Sequence, residues 1–113
     1  MKTVVHLLSG DDAEQETALA IARNLLDDET DRIDEVAIVV QADGMQAVTA
    51  DGENADQVQE LLNDDVAFRA CSNTLEMLDL EESDLVDGIE TVPEGAVEVT
   101  RLQSEEGYAY LRP

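Results

Sequence analysis

Short apolar runs alternate with stretches of helical spacing along the chain. Residues 4–8 and 36–40 are near-continuous apolar runs, residues 66–71 form a third, and each predicts a strand. A strand without polar alternation is covered on both faces, which favours a parallel sheet. Residues 11–28 instead place apolar positions three and four apart, which predicts an amphipathic helix capped by one of its first two residues.

The middle of the chain carries weaker signals. Asp43 and Gly44 form a turn signal, after which residues 45–49 predict a short extended piece. Asn54 stands three residues before a glutamine, which predicts a capping box at the start of a second helix. Another short helix is expected to begin at Ser72, which can cap it.

The last third repeats the alternation. Residues 79–87 are acidic and predict at most one further helical turn, and residues 89–92 predict a short strand. Pro93 suits a helix start, because its φ is fixed and it lacks an N–H donor. Gly107 is expected to end that helix. Residues 108–111 then predict a closing strand near a sheet edge, with its two tyrosines on one face for packing or subunit contact.

This order of elements predicts an α/β fold with an open, mostly parallel sheet. A chain of 113 residues suits a single domain over residues 1–113. In such sheets, functional sites lie outside the carboxyl ends of the strands. The loops at residues 9–11, 43–45 and 71–73 are therefore the places to look for chemistry.

The excess of acidic residues indicates the salt concentration to which the protein is adapted and argues against several classes of binding partner. The chain has 28 acidic and 6 basic residues, a net charge of −22, while 43% of its residues are hydrophobic, as in globular proteins. Such a surface repels phosphate backbones and anionic lipid, so we expect no direct nucleic-acid or membrane binding. Molar salt would screen the repulsion among the acidic side chains. The charge therefore predicts a halophilic protein that works in a salt-rich cytoplasm. A moderately acidic protein that tolerates its charge is the alternative.

Localisation and cofactors follow from what the sequence lacks. No apolar run approaches the ~20 residues of a membrane span. The apolar stretch at the amino terminus is too short, and polar residues follow it too early, for a signal peptide, so we expect a cytoplasmic protein. One cysteine and one histidine give neither a disulfide framework nor metal-ligand spacing. Calcium-loop and glycine-rich nucleotide motifs are missing as well. We therefore predict no metal and no cofactor.

Cys71 is the strongest candidate for chemistry. It ends a predicted strand directly before a predicted helix, where unpaired amides and the helix dipole favour the nucleophilic thiolate. Nearby carboxylates oppose that effect. The alternative is a small buried apolar side chain, which is the usual role of a single cysteine.

His6 is the only histidine and lies within the first apolar run. That position is typical of a core histidine whose ring nitrogens are satisfied by hydrogen bonds. Its functional alternative is a neighbour close to the loop edge of the sheet. A thiol hydrolase using Cys71 and His6 lacks an obvious third group to orient the histidine.

Four segments in order resemble the DsrE/DsrF-like family, and in particular its small YchN-like members. They are the Cys-Ser-Asn-Thr-Leu stretch at residues 71–75, Val-Pro-Glu-Gly-Ala-Val at 92–97, Leu-Gln at 102–103 and Gly-Tyr-Ala-Tyr-Leu-Arg-Pro at 107–113. The resemblance runs from Val4 to the last residue.

The resemblance implies a three-layer fold with helices on both faces of the sheet, and a homo-oligomer, commonly a trimer or hexamer. Related DsrEFH and TusBCD complexes carry sulfur as a cysteine persulfide. Only Cys71 matches a sulfur-bearing position, with Asn73 as a local partner. Relatives often have His or Asn before the glycine after the second strand, whereas Asp43 precedes Gly44 here.

Two functional hypotheses follow. The first is a cytoplasmic sulfur-trafficking protein, a carrier more than an enzyme in the strict sense, which holds sulfane sulfur on Cys71. It implies donor and acceptor proteins, because no second cysteine can release a persulfide. The second is a non-catalytic oligomeric binding or scaffold module in which Cys71 is structural.

Overall fold

Five parallel strands form one open sheet. The computed structural model describes every residue from Met1 to Pro113. The strands lie in the order β4-β3-β2-β1-β5, and every neighbouring pair is parallel. Their bounds are Lys2–Leu7 (β1), Glu35–Val40 (β2), Ala67–Cys71 (β3), Glu90–Val92 (β4) and Tyr108–Leu111 (β5). The predicted α/β fold with an open parallel sheet is confirmed, and β5 lies at an edge as expected.

Four α-helices connect these strands. They are Asp12–Leu26 (α1), Ala55–Asn63 (α2), Ser72–Met77 (α3) and Gly95–Glu105 (α4), and two 3₁₀ helices span Ala42–Val48 and Glu82–Asp84. Asp11 caps α1, since its carboxylate accepts a hydrogen bond of 3.0 Å from the Glu14 N–H. Gly107 ends α4 with a φ of +74°, a conformation that glycine adopts without steric cost.

Helices cover both faces of the sheet and create two cores. On one face, Val5 and Ile38 join a large buried cluster that includes Leu19 of α1 and Leu61 of α2. On the opposite face a smaller cluster of five residues packs under α4: Val4, Ala37, Val39, Val99 and Leu102. Successive strand residues point to opposite faces, so both sets in β1 and β2 must be apolar. This double burial explains the apolar runs without polar alternation.

The chain path reverses beside β1. From β1 the chain moves outward through β2 and β3 to β4, and α4 then returns across the other face to place β5 against β1. The carboxyl ends of all five strands therefore meet at one edge of the sheet.

Residues 45–49 do not form the predicted extended piece. They lie mostly in the 3₁₀ helix Ala42–Val48, and only Thr49 forms an isolated bridge, to Leu85. The Gly44 N–H donates to the Leu8 carbonyl at 3.1 Å, and a Cβ on Gly44 would lie 2.3 Å from the Leu7 carbonyl oxygen. Only glycine permits this close approach, so Gly44 allows the segment to pack against the end of β1.

Three predicted helix starts also differ from the structure. Asn54 makes no side-chain cap because its backbone (φ −96°, ψ 5°) is not extended, so the capping box is wrong. The residue that precedes α3 is Cys71, and Ser72 is the first residue of the helix. Pro93 lies before the cap of α4, which is Glu94. No helix has the length and apolar character needed to cross a membrane.

Candidate functional site at the carboxyl edge of the sheet

Cys71 lies where the sequence places it, at the junction between β3 and α3. It is the last residue of the strand and stands at the N-cap position of the helix, where its side chain makes no capping hydrogen bond, and its thiol is free of any disulfide. However, only 1% of the residue is exposed, and it belongs to the larger core. The junction is thus formed as predicted, and protein covers the sulfur.

The start of α4 covers Cys71. A Cβ built on Gly95 would lie 3.4 Å from the Cys71 Cβ and 3.0 Å from Gln41 Oε1. Glycine therefore lets the first turn of α4 pack closely against the thiol-bearing residue. We call Pro93, Glu94 and Gly95 the lid.

Three hydrogen bonds tie the lid to the neighbouring elements. The Asn73 N–H donates to the Pro93 carbonyl at 3.3 Å, and the Asn73 side-chain amide donates to Glu94 Oε2 at 3.3 Å. Gln41 Nε2 donates to Glu94 Oε1 at 3.4 Å. All three are longer than the usual 2.9–3.0 Å of N–H···O bonds, so each is weak.

A chain of hydrogen bonds continues from the lid across the sheet edge. Gln41 Oε1 lies 2.6 Å from His6 Nε2, and His6 Nδ1 lies 2.7 Å from the Tyr110 hydroxyl. This polar chain, Asn73–Glu94–Gln41–His6–Tyr110, joins residues from or beside all five strands. Its members come from distant parts of the sequence, and the parallel topology brings them together.

The Glu94 carboxylate fixes the proton positions along the polar chain. Ionised Glu94 only accepts hydrogen bonds, so the Gln41 NH₂ group faces it and the Gln41 carbonyl oxygen faces His6. His6 Nε2 must then carry a proton and donate it. In the neutral ring, Nδ1 is the acceptor, so Tyr110 donates to it.

Burial holds the pKa of His6 below its ordinary value of 6.5. Desolvation of the imidazolium is the largest cause, the hydrogen bond to Gln41 opposes it, and the positive charge of Arg112 adds to it. His6 is 8% exposed and both ring nitrogens have partners. The predicted core histidine with satisfied nitrogens describes this geometry.

His6 and Cys71 form no hydrogen bond with each other. Gln41 takes the ring nitrogen that faces the lid, and Tyr110 takes the other. Tyr110 and Gln41 do orient the ring, but toward the polar chain. This arrangement gives no support to a thiol hydrolase built on the two residues.

Asn73 is a partner of the lid and not of the sulfur. Its side-chain amide is donated to Glu94, as described above. Sequence reasoning missed Gln41 and Glu94. Gln41 directly follows the predicted strand at 36–40 and Glu94 lies two residues after the predicted strand at 89–92, so the rule for open parallel sheets, applied to every strand end, would have found them.

Neither the thiol nor the polar chain forms a metal centre. The structure contains no group of three or more His, Cys, Asp or Glu side chains arranged to hold a metal ion. Asp43 is a member of neither the lid nor the polar chain, and its Cβ lies 3.0 Å from a Cβ built on Gly10.

The topology and the edge site define a class: a small three-layer α/β protein whose chemistry-bearing side chains collect at the carboxyl ends of parallel strands. The chain belongs to the DsrE/DsrF-like family, which matches it over residues 1–113. The resemblance seen in the sequence is thereby confirmed. No curated protein matches the chain in sequence.

Solved structures show the same fold. The chain is 31% identical to the protein of unknown function MTH1491 from Methanobacterium thermoautotrophicum, with a TM-score of 0.92 and coverage of 99% of this chain and 98% of that one. It is 15% identical to the ychN protein from E. coli, with a TM-score of 0.79 and full coverage of both chains. BT1422 from Bacteroides thetaiotaomicron is 17% identical, with a TM-score of 0.76 and coverage of 99% of this chain and 94% of that one. The last two matches show a shared fold and nothing more.

Proposed function

We propose that the protein is a cytoplasmic sulfur carrier that holds sulfane sulfur as a persulfide on Cys71. One observation carries the proposal: the only thiol lies at the carboxyl edge of the sheet, beneath a lid held by three long hydrogen bonds. Membership of the DsrE/DsrF-like family supports it, because relatives in sulfur-relay complexes carry persulfides.

The loading step is a thiolate exchange without net oxidation. The Cys71 thiolate attacks the terminal sulfur of a donor persulfide, a new S–S bond forms on Cys71, and the donor leaves as a thiolate. The transferred sulfur keeps its oxidation state, and one proton moves from the Cys71 thiol to solvent. Release requires an acceptor thiol from another molecule, because the chain has no second cysteine.

Access to the sulfur requires the lid to open. The bonds of the lid to Asn73 and Gln41 are weak, and its opening also frees the first turn of α4, because Gly95 begins that helix and the Glu94 carbonyl accepts from the Glu98 N–H at 3.1 Å. Segments with few and long hydrogen bonds open at a lower free energy than the global unfolding of the domain.

Mass spectrometry of the intact protein tests the carrier function. After incubation with a low-molecular-weight persulfide donor, the wild type is expected to gain about 32 Da, and the gain is lost on reduction. Cys71→Ser is the matched control and should gain nothing. A wild-type thiol that stays unmodified, in a sample whose sulfur reacts once the protein is unfolded, would sink the carrier proposal.

The second candidate function is a non-catalytic oligomeric binding or scaffold module. The 1% exposure of Cys71 favours it, because a structural cysteine needs no route to solvent. It predicts that native-state labelling of the thiol is no faster than global unfolding, and that Cys71→Ala only lowers stability modestly. The labelling experiment described in the Discussion separates the two candidates.

Both candidates include self-association into a trimer or hexamer. Apolar side chains exposed near the edge site are available for it, among them Val97 of α4, which is 65% exposed, and Leu111 of β5. Light scattering coupled to gel filtration measures the assembly. A monomeric mass at micromolar concentration in molar salt would contradict this part of the proposal.

A further inference from the structure

A crevice opens where the path of the chain reverses, between the ends of β1 and β5. The chain moves away from β1 on one side through β2 to β4 and returns to its other side as β5. In open parallel sheets, ligands bind in the crevice outside the carboxyl ends of the strands at this reversal point. Here the crevice has a volume of about 310 Å³, and Ser9, Gly10, Asp43 and Arg112 contribute to its walls.

The walls of this crevice are held in place by a buried side chain. Gln15 of α1 is 2% exposed, and its amide donates to the Ser9 carbonyl at 2.9 Å and to the Asp43 carbonyl at 3.5 Å. The Gly44 N–H also bonds the Leu8 carbonyl. The loops after β1 and β2 are thus pinned to each other, and the crevice does not depend on a free loop.

Two opposite charges line the crevice without partners. Arg112 has no carboxylate within 4.0 Å, although the chain carries 28 acidic residues and pairs four of its six basic side chains. The Asp43 carboxylate accepts no hydrogen bond and forms no ion pair. Glu14, also in the wall, accepts the Ser9 hydroxyl and keeps a second oxygen free.

We propose that this crevice binds a small zwitterion of the α-amino-acid type, with its carboxylate on Arg112 and its ammonium group on Asp43. A guanidinium presents paired donors that match a carboxylate, and an ammonium group donates well to a carboxylate such as that of Asp43. A ligand that pairs with both of these charges must carry both signs itself. The volume of the crevice is near the lower end of the range found for ligand pockets, which restricts the ligand to a small molecule.

Other ligand classes fit the walls less well. A phosphate or dicarboxylate would place a second negative charge against Asp43 and Glu14. A bare metal cation would face Arg112, and no metal-binding group of three side chains is present. The zwitterion is the class that offers an opposite charge to both Arg112 and Asp43.

The test is an NMR titration of the ¹⁵N-labelled full chain with L-alanine, which has no thiol and cannot react with Cys71. We expect saturable shifts confined to the amides of residues 8–10, 43–44 and 112. Propionate, which lacks the ammonium group, and L-alaninamide, which lacks the carboxylate, should each bind at least about tenfold more weakly.

Arg112→Gln should weaken L-alanine binding by about tenfold or more, and Asp43→Asn should do the same. Arg32→Gln is the matched control, because Arg32 is the other arginine without a carboxylate partner and lies outside the crevice. No saturable shift up to roughly 50 mM L-alanine, or equal affinity for propionate, would overturn the proposal. Binding that survives Arg112→Gln in a folded variant would overturn it as well. None of these outcomes bears on persulfide loading at Cys71.

Discussion

Weakening the lid should speed the modification of Cys71 without unfolding the protein. Glu94→Gln removes the charge that accepts hydrogen bonds from Gln41 and Asn73 and turns one acceptor oxygen into a donor that faces the Asn73 amide. Charge-assisted hydrogen bonds contribute more than neutral ones, but these are long and partly exposed, so we expect the closed lid to lose about 1–2 kcal/mol. If the thiol reacts only in the open form, its rate should rise about 5- to 30-fold.

The assay is the rate of alkylation of native protein by iodoacetamide at several pH values. Opening of the lid multiplies the rate at every pH, whereas an electrostatic effect on the thiol shifts the pH at which the rate is half-maximal. One data set therefore distinguishes opening of the lid from a change in the titration of the thiol. Urea unfolding of each variant gives the global free energy for comparison.

Glu105→Gln is the matched control for this experiment. It changes the net charge equally, lies at the opposite end of α4 from Glu94, and forms no side-chain hydrogen bond. Equal alkylation rates in both variants would refute the role of the lid. A rate increase that merely follows the loss of global stability would show that Cys71 reacts only through unfolding, which favours the scaffold function.

Three further predictions follow from the charges. Burial lowers the pKa of His6 in the folded state. Below about pH 6.5 the histidine is therefore protonated in the unfolded state, whereas in the folded state it stays neutral until the pH falls to its lower folded-state pKa. Stability is therefore complete above about pH 6.5 and declines below it, and urea unfolding against pH should show this slope in the wild type but not in His6→Gln. Glu98→Gln should lower the free energy of unfolding by about 1–3 kcal/mol, because buried Glu98 pairs with Arg69 and Arg101. Urea unfolding measures this loss, with the exposed Glu105→Gln as control. A loss of stability smaller than that of the control would contradict the prediction. The thermal midpoint should rise from dilute buffer to molar KCl as 22 net negative charges are screened, and a midpoint indifferent to salt would remove the case for halophilic adaptation.

The sheet was predictable because its strands are buried on both faces. The runs at 4–8 and 36–40 predicted strands covered on both faces, and the structure places these strands near the centre of the sheet. Position also identified Cys71, since a residue between an apolar strand and a helix must lie at the carboxyl edge. These inferences depend on local pattern and need no tertiary information.

The surroundings of Cys71 were not predictable in the same way. Gly95 packs on Cys71 because α4 returns across the sheet, a contact between residues far apart in sequence. Gln41 gains its role from His6 on one side and Glu94 on the other. No local pattern predicts these contacts, so only the order of the strands reveals them.

Both candidate sites have one structural origin, the reversal of the chain through α4. The return helix brings Glu94 and Gly95 over Cys71 at one end, and at the other it delivers β5, whose following residue Arg112 lines the crevice beside β1. His6 lies between the two, since it lines the crevice and bonds Gln41 of the polar chain. The edge therefore holds a covered thiol and an open polar crevice that a single crossover positions together.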